Sequence, residues 1–393
     1  MTAPEESPLF QEILAHPNDR ELRLVFADWL EEQGDPRGEL VRLQCQLENM
    51  TRSDAGYSRL RATAGKLERQ HGGFGDLKKV TVAKTELRGG FVERVEVTPA
   101  RWIKHAAEII RTTPLRDLRL KGKSAKFAQI AEMPELSQLT ALELRQSKID
   151  NAGLEALVKS PHLASLSTLG LYGTECTSIG RVLSQSALLS QLTTLELGGE
   201  TISPHDVQLI GENVRGLQTL VIGVAENSGL PELAAAGLDS LTNLDWNSGW
   251  REPPLTKNQL EQFGASMFDE PLRQLTLRPV EPGFAEAFVE FRFQQLEELA
   301  IYEDALKTPD VASILAHLKG LSDLTLCACG LRDAAARAIA KSPTLSGLKH
   351  LRMTRNRITE KGVEAILSSE YFSPETELHL AGNLIYEAEI RRL

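Results

Sequence analysis

One short pattern recurs along most of this 393-residue chain and constrains its fold more than any other feature. The pattern is Leu-x-x-Leu-x-Leu, then two residues, a small or polar residue, one more residue and an aliphatic. Weaker copies extend from VERVEV at Val92 to ETELHLAGNLI at Glu375, which gives about twelve units spaced about 26 residues apart. The clearest copies are LTALELRQSKI at 139–149, LEELAIYEDAL at 296–306, LSDLTLCACGL at 321–331 and LKHLRMTRNRI at 348–358.

Each unit predicts one strand and one helix. The last two leucines are two residues apart, so they share one face of a short strand, and the residue between them faces the other way. Helix starts follow several strands, as at Ser203-Pro204, where an N-cap precedes a proline in the first turn. A single unit cannot bury its own apolar face, so the units must stack. The sequence therefore predicts an α/β leucine-rich-repeat solenoid over 91–393, a horseshoe with parallel strands on its concave face and helices on its convex face.

Two details of the repeat bear on the core and on the C-terminal end. The ninth position of a unit should turn the chain and bond neighbouring backbone, and Cys329, Asn356 and Asn383 occupy it. The seventh unit is irregular from Trp246 to Pro254, because a tryptophan replaces a core leucine and the next unit starts late; the pattern leaves open whether this serves binding. Few apolar residues follow the last strand, so we expect a thin cap and weak end-to-end self-association.

The segment before the repeats has a different pattern. Residues 1–50 carry apolar residues at helical spacing and predict a small all-α module, and residues 51–90 should form a linker and N-terminal cap. The run FQEILAHPNDRELRLVFADWLEEQGDPRGELVRLQCQL at 10–47 closely resembles the "repeat-companion domain" that precedes leucine-rich repeats in large-genome aquatic bacteria. LRGGFVERVEV at 87–97 also looks like the start of that family's repeats, and the repeats are similar to the ribonuclease-inhibitor type.

The resemblance implies a bacterial protein but no particular activity for the companion module. Leucine-rich repeats as a class imply protein recognition. Asp28, Arg37 and Glu39 lie in the module's hallmark run, and we interpret that run as ion pairs and an Asp35 cap that hold short helices together, rather than as a docking surface.

Composition limits the classes of function. The formal net charge of -10 disfavours nucleic acid and anionic membrane surfaces as partners. The N-terminus lacks the features of a secretory signal, and four cysteines do not make a disulfide framework, so we expect a cytoplasmic protein. The sequence contains no HExxH, GxSxG or phosphate-binding glycine motif, and Cys327 and Cys329 have no nearby zinc-ligand partners. We therefore expect no enzymatic activity, no metal and no cofactor.

The concave strand face is the predicted functional surface. Tyrosine and arginine on a rigid exposed surface are residue types that dominate interface energetics. We predict a non-enzymatic scaffold that binds a protein partner there; alternatives are a regulator of a partner enzyme, such as a GTPase-activating-type protein using Asn356 and Arg357, and a self-assembling structural component. The candidate partner-binding residues are Arg119, Arg145, Tyr172, Glu196, Asn243, Asp245, Asn247, Arg278, Tyr302 and Arg352.

Overall fold

The chain forms two compact units, Met1–Cys176 and Thr177–Leu393, in a computed structural model. Both are built from strand–helix repeats, as the sequence predicts, and each of the predicted copies contains one of the strands β2–β13 defined below. The fold class is an α/β leucine-rich-repeat solenoid preceded by all-α helices. The residues that the structure describes are 4–17, 19–50, 54, 56–75, 77, 84–198, 202–223, 229–235, 238, 240–247, 254–266, 272–278, 285, 295–302 and 306–385.

The first unit begins with four α-helices and continues with a sheet. The strands pair in chain order; β1 and β2 are antiparallel, and β2 to β5 are parallel. The strands are β1 (Lys84–Arg88), β2 (Phe91–Val97), β3 (Asp117–Lys121), β4 (Ala141–Arg145) and β5 (Thr168–Tyr172). The helices are α1 (Pro8–Ala15), α2 (Arg20–Glu32), α3 (Arg37–Leu47), α4 (Tyr57–His71), α5 (Pro99–Thr112), α6 (Phe127–Ala131) and α7 (Asn151–Val158).

Strand β1 has no counterpart in the repeat pattern, and the sequence did not predict it. It forms a hairpin with β2 through Gly89 and Gly90, which both have positive φ angles, of 52° and 84°. A side chain at Gly90 would lie 2.3 Å from Cγ2 of Val41, and one at Gly89 would lie 2.4 Å from Nη1 of Arg23. The two glycines therefore allow the hairpin turn to approach helices α2 and α3 closely.

The N-terminal helices share a core with the first repeat. Phe10 and Phe26 of the helices pack with Phe74 and Phe91, at centroid distances between 5.0 and 6.1 Å. All four rings are buried. Because four short helices bury little apolar surface alone, this shared core gives the module its support.

A buried ion-pair cluster joins the same two parts. Glu93 of β2 is fully buried and pairs with Arg23 of α2 and with Arg116, which precedes β3. Arg23 also donates to the Pro17 carbonyl at 2.6 Å and the Arg88 carbonyl at 3.3 Å. Two guanidinium groups thus compensate the buried carboxylate.

In the hallmark run, the ion-pair interpretation is confirmed for Arg37 and Asp28. Pro36 is the N-cap residue of α3, and Asp35 just before it accepts from the Arg37 amide at 2.9 Å; the Arg37 guanidinium donates to both carboxylate oxygens of Asp35. Arg37 also stacks over Phe74 at 4.2 Å, and Asp28 pairs with Arg42 of α3. The Glu39 side chain is exposed.

The described residues of the second unit include eight parallel strands that pair in chain order. The strands are β6 (Thr194–Gly198), β7 (Thr219–Gly223), β8 (Asn243–Asn247), β9 (Gln274–Arg278), β10 (Glu298–Tyr302), β11 (Asp323–Cys327), β12 (His350–Arg352) and β13 (Glu377–His379). The described helices are α8 (Ile179–Ser184), α9 (Leu188–Gln191), α10 (Pro204–Asn213), α11 (Gly229–Ala235), α12 (Lys257–Ser266), α13 (Thr308–His317), α14 (Asp333–Ala340) and α15 (Glu360–Leu367).

The ninth-position ladder behaves as predicted. The Asn356 amide donates to the carbonyls of Leu326 at 2.7 Å and Met353 at 3.0 Å, and its oxygen accepts from the Leu331 amide at 3.1 Å. Cys329 is fully buried, and its Sγ donates to the Ile301 carbonyl.

The structure describes part of the irregular seventh unit and part of the predicted thin C-terminal cap. Trp246 is fully buried, as expected for a residue that replaces a core leucine, while residues 248–253 of the irregular unit lie outside the described residues. Leu384, one of the few apolar residues that follow the last strand, is 58% exposed, and residues 386–393 lie outside the described part.

Candidate recognition surface

The outward face of each sheet is set by the leucine spacing. In β3 to β5 and β6 to β10, the second and fourth residues are buried core positions, so the first, third and fifth residues point away from the core. Parallel pairing in register then places equivalent outward residues side by side, as Arg119 lies opposite Glu143 and Arg145 opposite Tyr172. Residues about 25 positions apart in sequence therefore become neighbours.

The outward face of the first unit is a row of alternating charges, here called the first-unit charge row: Glu86, Arg94, Asp117, Arg119, Glu143 and Arg145. Arg94 lies 2.8 Å from Glu86 and 2.5 Å from Asp117. Arg119 lies 2.8 Å from Glu143, and Arg145 lies 2.7 Å from the other oxygen of that carboxylate. Every carboxylate of this row has at least two cationic partners, although the buried Oδ1 of Asp117 accepts no hydrogen bond among the described residues.

The row ends in a stacked arginine and tyrosine. The Arg145 guanidinium lies 4.8 Å from the ring centroid of Tyr172. Glycine at position 170 leaves space there, because a side chain would come within 3.0 Å of Glu143 and 3.2 Å of Tyr172. The predicted site residues Arg119, Arg145 and Tyr172 thus all take part in contacts within the first unit.

A similar set of residue types occurs in the second unit, here called the Asp245 patch: Asp245, Arg278 and Tyr302. Asp245 is the third residue of β8, and Arg278 and Tyr302 end β9 and β10. The Arg278 guanidinium stacks 3.9 Å from the Tyr302 ring centroid, and one of its nitrogens lies 3.8 Å from Oδ2 of Asp245. The structure therefore brings together three of the predicted residues.

The carboxylate of the Asp245 patch is incompletely satisfied. Its Oδ1 is buried and accepts no hydrogen bond within the part of the chain that the structure describes. Burial raises the pKa of Asp245; Arg278 acts against that shift, and the Glu196 carboxylate adds to it. Burial also raises the pKa of the Tyr302 phenol. The patch thus holds a carboxylate that its own surroundings do not stabilise well.

The other predicted residues of the second unit occupy outward positions around the patch. Glu196 and Asn243 are partly buried, on β6 and β8. Arg352 pairs with Asp323 at 3.2 Å on the neighbouring strand. The backbone of Asn247 ends β8, but its side chain lies outside the described residues.

Sequence reasoning identified the outward residues but not their pairing. Glu86, Arg94 and Asp117 were not among the predicted site residues, although they complete the first-unit charge row. Sequence could have indicated part of this row, because Asp117 is the third residue of the recognisable repeat copy LRDLRL, which begins at Leu115. The role of Glu86 depends on β1, which the repeat pattern does not show.

Comparison with known proteins agrees with the fold. The family described as "Leucine Rich repeat" matches residues 137–158 and 347–367. A chain of the yeast Rad7–Elc1 complex is similar in structure, with a TM-score of 0.53 and 14% sequence identity over 93% of this chain and 86% of that one. At this identity the similarity shows the fold alone. The findings support a leucine-rich-repeat protein.

Two further solved structures are more distantly similar. An internalin from Listeria monocytogenes has a TM-score of 0.39 and 18% identity, over 70% of this chain and 76% of that one. A chain of the TLR13–ssRNA13 complex has a TM-score of 0.36 and 17% identity, over 68% of this chain and 33% of that one. A search of curated proteins gave no match. None of the helices in the described residues is both long and apolar enough to cross a membrane.

Proposed function

We propose that this chain is a non-enzymatic recognition protein and that the Asp245 patch is where it binds a protein partner. The observation that carries the proposal is the poor pairing of the Asp245 carboxylate: its contact with Arg278 is 3.8 Å long, and its Oδ1 accepts no hydrogen bond among the described residues. The Asp245 side chain is 33% exposed, so a cationic donor from a partner can reach the exposed part of the carboxylate and stabilise its charge with a gain in free energy.

The patch has the residue types and rigidity of an interface centre. Tyr302 and Arg278 present an aromatic face and a guanidinium on strand ends, whose backbone is fixed by parallel pairing. The outward-facing Asp245 favours a cationic donor, such as a lysine or arginine side chain of the partner. We infer a partner with a basic side chain beside an apolar one, which would pack on the tyrosine ring.

The same reasoning gives the first-unit charge row a structural role. Its carboxylates have their own cations, so a partner would have to break existing pairs to use them. Arg119, Arg145 and Tyr172, although predicted as binding residues, therefore rank below Asp245, Arg278 and Tyr302 in this proposal. In the first unit the N-terminal helices serve as a cap on the first repeat, as the shared aromatic core and the Glu93 cluster support.

The regulator alternative has weaker support. A GTPase-activating-type role would use Asn356 with Arg357. Asn356 is 5% exposed and its amide group is occupied by backbone hydrogen bonds of the repeat ladder. Self-assembly through the C-terminal edge remains a proposal, and β13 at that edge has two exposed residues, Glu377 and His379. A cytoplasmic location and a protein rather than nucleic-acid partner are inferred from composition and charge.

The experiment is a comparative affinity capture from the native host with the full chain as bait, followed by mass spectrometry. Baits are the unchanged chain, the double variant Asp245→Asn/Tyr302→Ala, and the matched first-unit control Glu143→Gln/Tyr172→Ala. We expect one or more proteins to be captured by the unchanged chain and the control but lost from the Asp245 patch variant. Equal capture by all three folded baits would mean that the site is misplaced, and capture of this chain alone would favour self-assembly.

A further inference from the structure

Three potential metal ligands lie together on the last two strands of the second unit. His350 begins β12, and Glu377 and His379 are the first and third residues of β13. Parallel register places His350 opposite Glu377 and Arg352 opposite His379. One ligand atom from each of the three side chains can be chosen so that all lie within 4.8 Å of one another.

The buried side chain of His350 is the observation that indicates a bound cation. Its side chain is only 6% exposed, and neither ring nitrogen makes a hydrogen bond within the described part of the chain. Its Nδ1 lies 3.3 Å from Oε2 of Glu377, and Nε2 of His379 lies 3.8 Å from the same oxygen. A buried imidazole without a hydrogen bond is costly, and a bound cation would satisfy one of its nitrogens.

The distances suit a small transition-metal ion. Zinc bonds of about 2.0–2.2 Å to nitrogen and oxygen put neighbouring tetrahedral ligands about 3.3 Å apart. The His350–Glu377 distance already has this value, and the half-exposed His379 and Glu377 side chains have room to close the remaining gaps. Two imidazoles and one carboxylate favour zinc or a neighbouring divalent transition metal over calcium or magnesium, which prefer oxygen ligands.

The geometry points to a divalent transition-metal site, of the zinc class, formed by His350, Glu377 and His379. Three protein ligands leave at least one coordination position for water or an outside donor, on the outward face of the sheet. Arg352, which lies opposite His379 in the strand register, is paired with Asp323, and this limits its repulsion of a metal ion. This site is independent of the proposed function of the Asp245 patch.

The sequence does not show this site because its ligands do not form a local motif. His350 and Glu377 are 27 positions apart, which is close to one repeat, and only the strand register brings them side by side. The prediction of no bound metal was based on the absence of local motifs such as HExxH and of partners for Cys327 and Cys329. Repeat proteins can build a site from residues of neighbouring units, and motif searches along the chain do not detect such a site.

The test uses Co²⁺ as a spectroscopic probe of the full chain, freed of metal and titrated at pH 7.5 under reducing conditions. We expect one Co²⁺ per chain and the intense visible d–d absorption of a four- or five-coordinate site. Glu377→Gln and His379→Ala should each weaken binding at least about tenfold. Both positions are exposed, so the variants should keep the fold, and circular dichroism checks this. His205→Ala, which changes an exposed histidine on α10, is the matched control and should bind as the unchanged chain does.

Competition by Zn²⁺ for the Co²⁺ site should be complete, and Zn²⁺ should raise the thermal midpoint of the unchanged chain more than that of Glu377→Gln. The proposal is overturned if no saturable absorption develops, or if all variants bind Co²⁺ equally. It is also overturned if the spectrum shows sulfur-to-cobalt charge transfer, because that would place the ion on a cysteine such as the partly exposed Cys327.

Discussion

The first-unit charge row and the Asp245 patch use the same residue types on the same kind of surface, with different outcomes. In each, an arginine at a strand end stacks on a tyrosine at the end of the next strand, close to a carboxylate. Glu143 contacts two guanidinium groups at 2.7 and 2.8 Å, whereas Asp245 has one at 3.8 Å and a buried oxygen without a hydrogen bond among the described residues.

The difference shows that residue type and exposure do not by themselves identify a binding site on a repeat surface. A carboxylate that already accepts charge-assisted hydrogen bonds stabilises its own unit and has little to gain from a partner. A carboxylate that is largely removed from water but poorly paired lacks such hydrogen bonds, and a partner could supply them. Oδ1 of Asp117 in the first-unit charge row also lacks a hydrogen bond among the described residues, but that carboxylate has two arginine partners. The number and distance of the cationic partners therefore separate the structural surface from the proposed recognition surface.

The largest expected effect is at Glu93, the fully buried carboxylate of the first unit that pairs with two arginines. Glu93→Gln would leave Arg23, which is 3% exposed, without a counter-charge in the interior. We expect the free energy of unfolding of the first unit to fall by about 3–5 kcal/mol, measured by urea unfolding. Glu96→Gln is the control, because Glu96 makes a long ion pair of 4.0 Å with the exposed Lys121, and its effect should stay below about 1 kcal/mol. Equal effects of the two changes would contradict the idea that the cluster holds the N-terminal helices.

The next largest effect is the difference in unfolding free energy between a change at Glu143 and a change at Asp245. Glu143→Gln removes the charge that Arg119 and Arg145 share, and should cost about 1–3 kcal/mol of unfolding free energy. Asp245→Asn removes a poorly paired buried charge and should change the free energy of unfolding by less than about 0.5 kcal/mol, or stabilise the chain. Denaturant unfolding of both variants gives the comparison, and a larger loss for Asp245→Asn would refute it.

The smallest expected effect is in the pH dependence of the free energy of unfolding. As pH rises, Asp245 and Glu86 should change that free energy in opposite directions. The pKa of Asp245 is raised by burial, so the folded state binds its proton more tightly and stability falls as pH rises above about 4. Burial also acts to raise the pKa of Glu86, but Lys84, Arg94 and Arg119 outweigh it and lower that pKa. The stability that Glu86 contributes is present above its unfolded pKa and is lost as pH falls.

Unfolding free energies of the unchanged chain, Asp245→Asn and Glu86→Gln between about pH 3 and 7 measure this. Relative to the unchanged chain, Asp245→Asn should gain stability with rising pH, and Glu86→Gln should lose it. If the difference in unfolding free energy from the unchanged chain changed with pH in the same direction for both variants, the pKa values of Asp245 and Glu86 would not be shifted in opposite directions.

The fold was largely predictable from the sequence, because spacing of leucines reports burial directly. Strands β2 to β13 and the roles of Asn356 and Cys329 follow from the repeat pattern alone. Strand β1 was missed, since its residues Lys84–Arg88 carry no repeat spacing, and its place depends on the turn at Gly89 and Gly90 against the N-terminal helices.

The candidate sites were less predictable, because they depend on distances between side chains of different repeats. Sequence placed Asp245, Arg278 and Tyr302 on one face, but it placed Arg119 and Arg145 there equally. Only the register and the side-chain geometry show that Arg119 and Arg145 are already paired. The proposed metal site was also not predictable from the sequence. His350 is 27 positions from Glu377, and only the strand register shows that it lies beside Glu377 and His379.

The most direct test of the central claim is the affinity of one purified partner, obtained by the capture experiment, for single carboxylate variants. Isothermal titration should show binding to Asp245→Asn weakened at least about tenfold, since a charge-assisted hydrogen bond contributes about 1.5–3 kcal/mol. Binding to Glu143→Gln should change less than about twofold, because that carboxylate already has its partners. If Glu143→Gln weakened the complex as much as Asp245→Asn or more, the assignment of recognition to the Asp245 patch would be wrong.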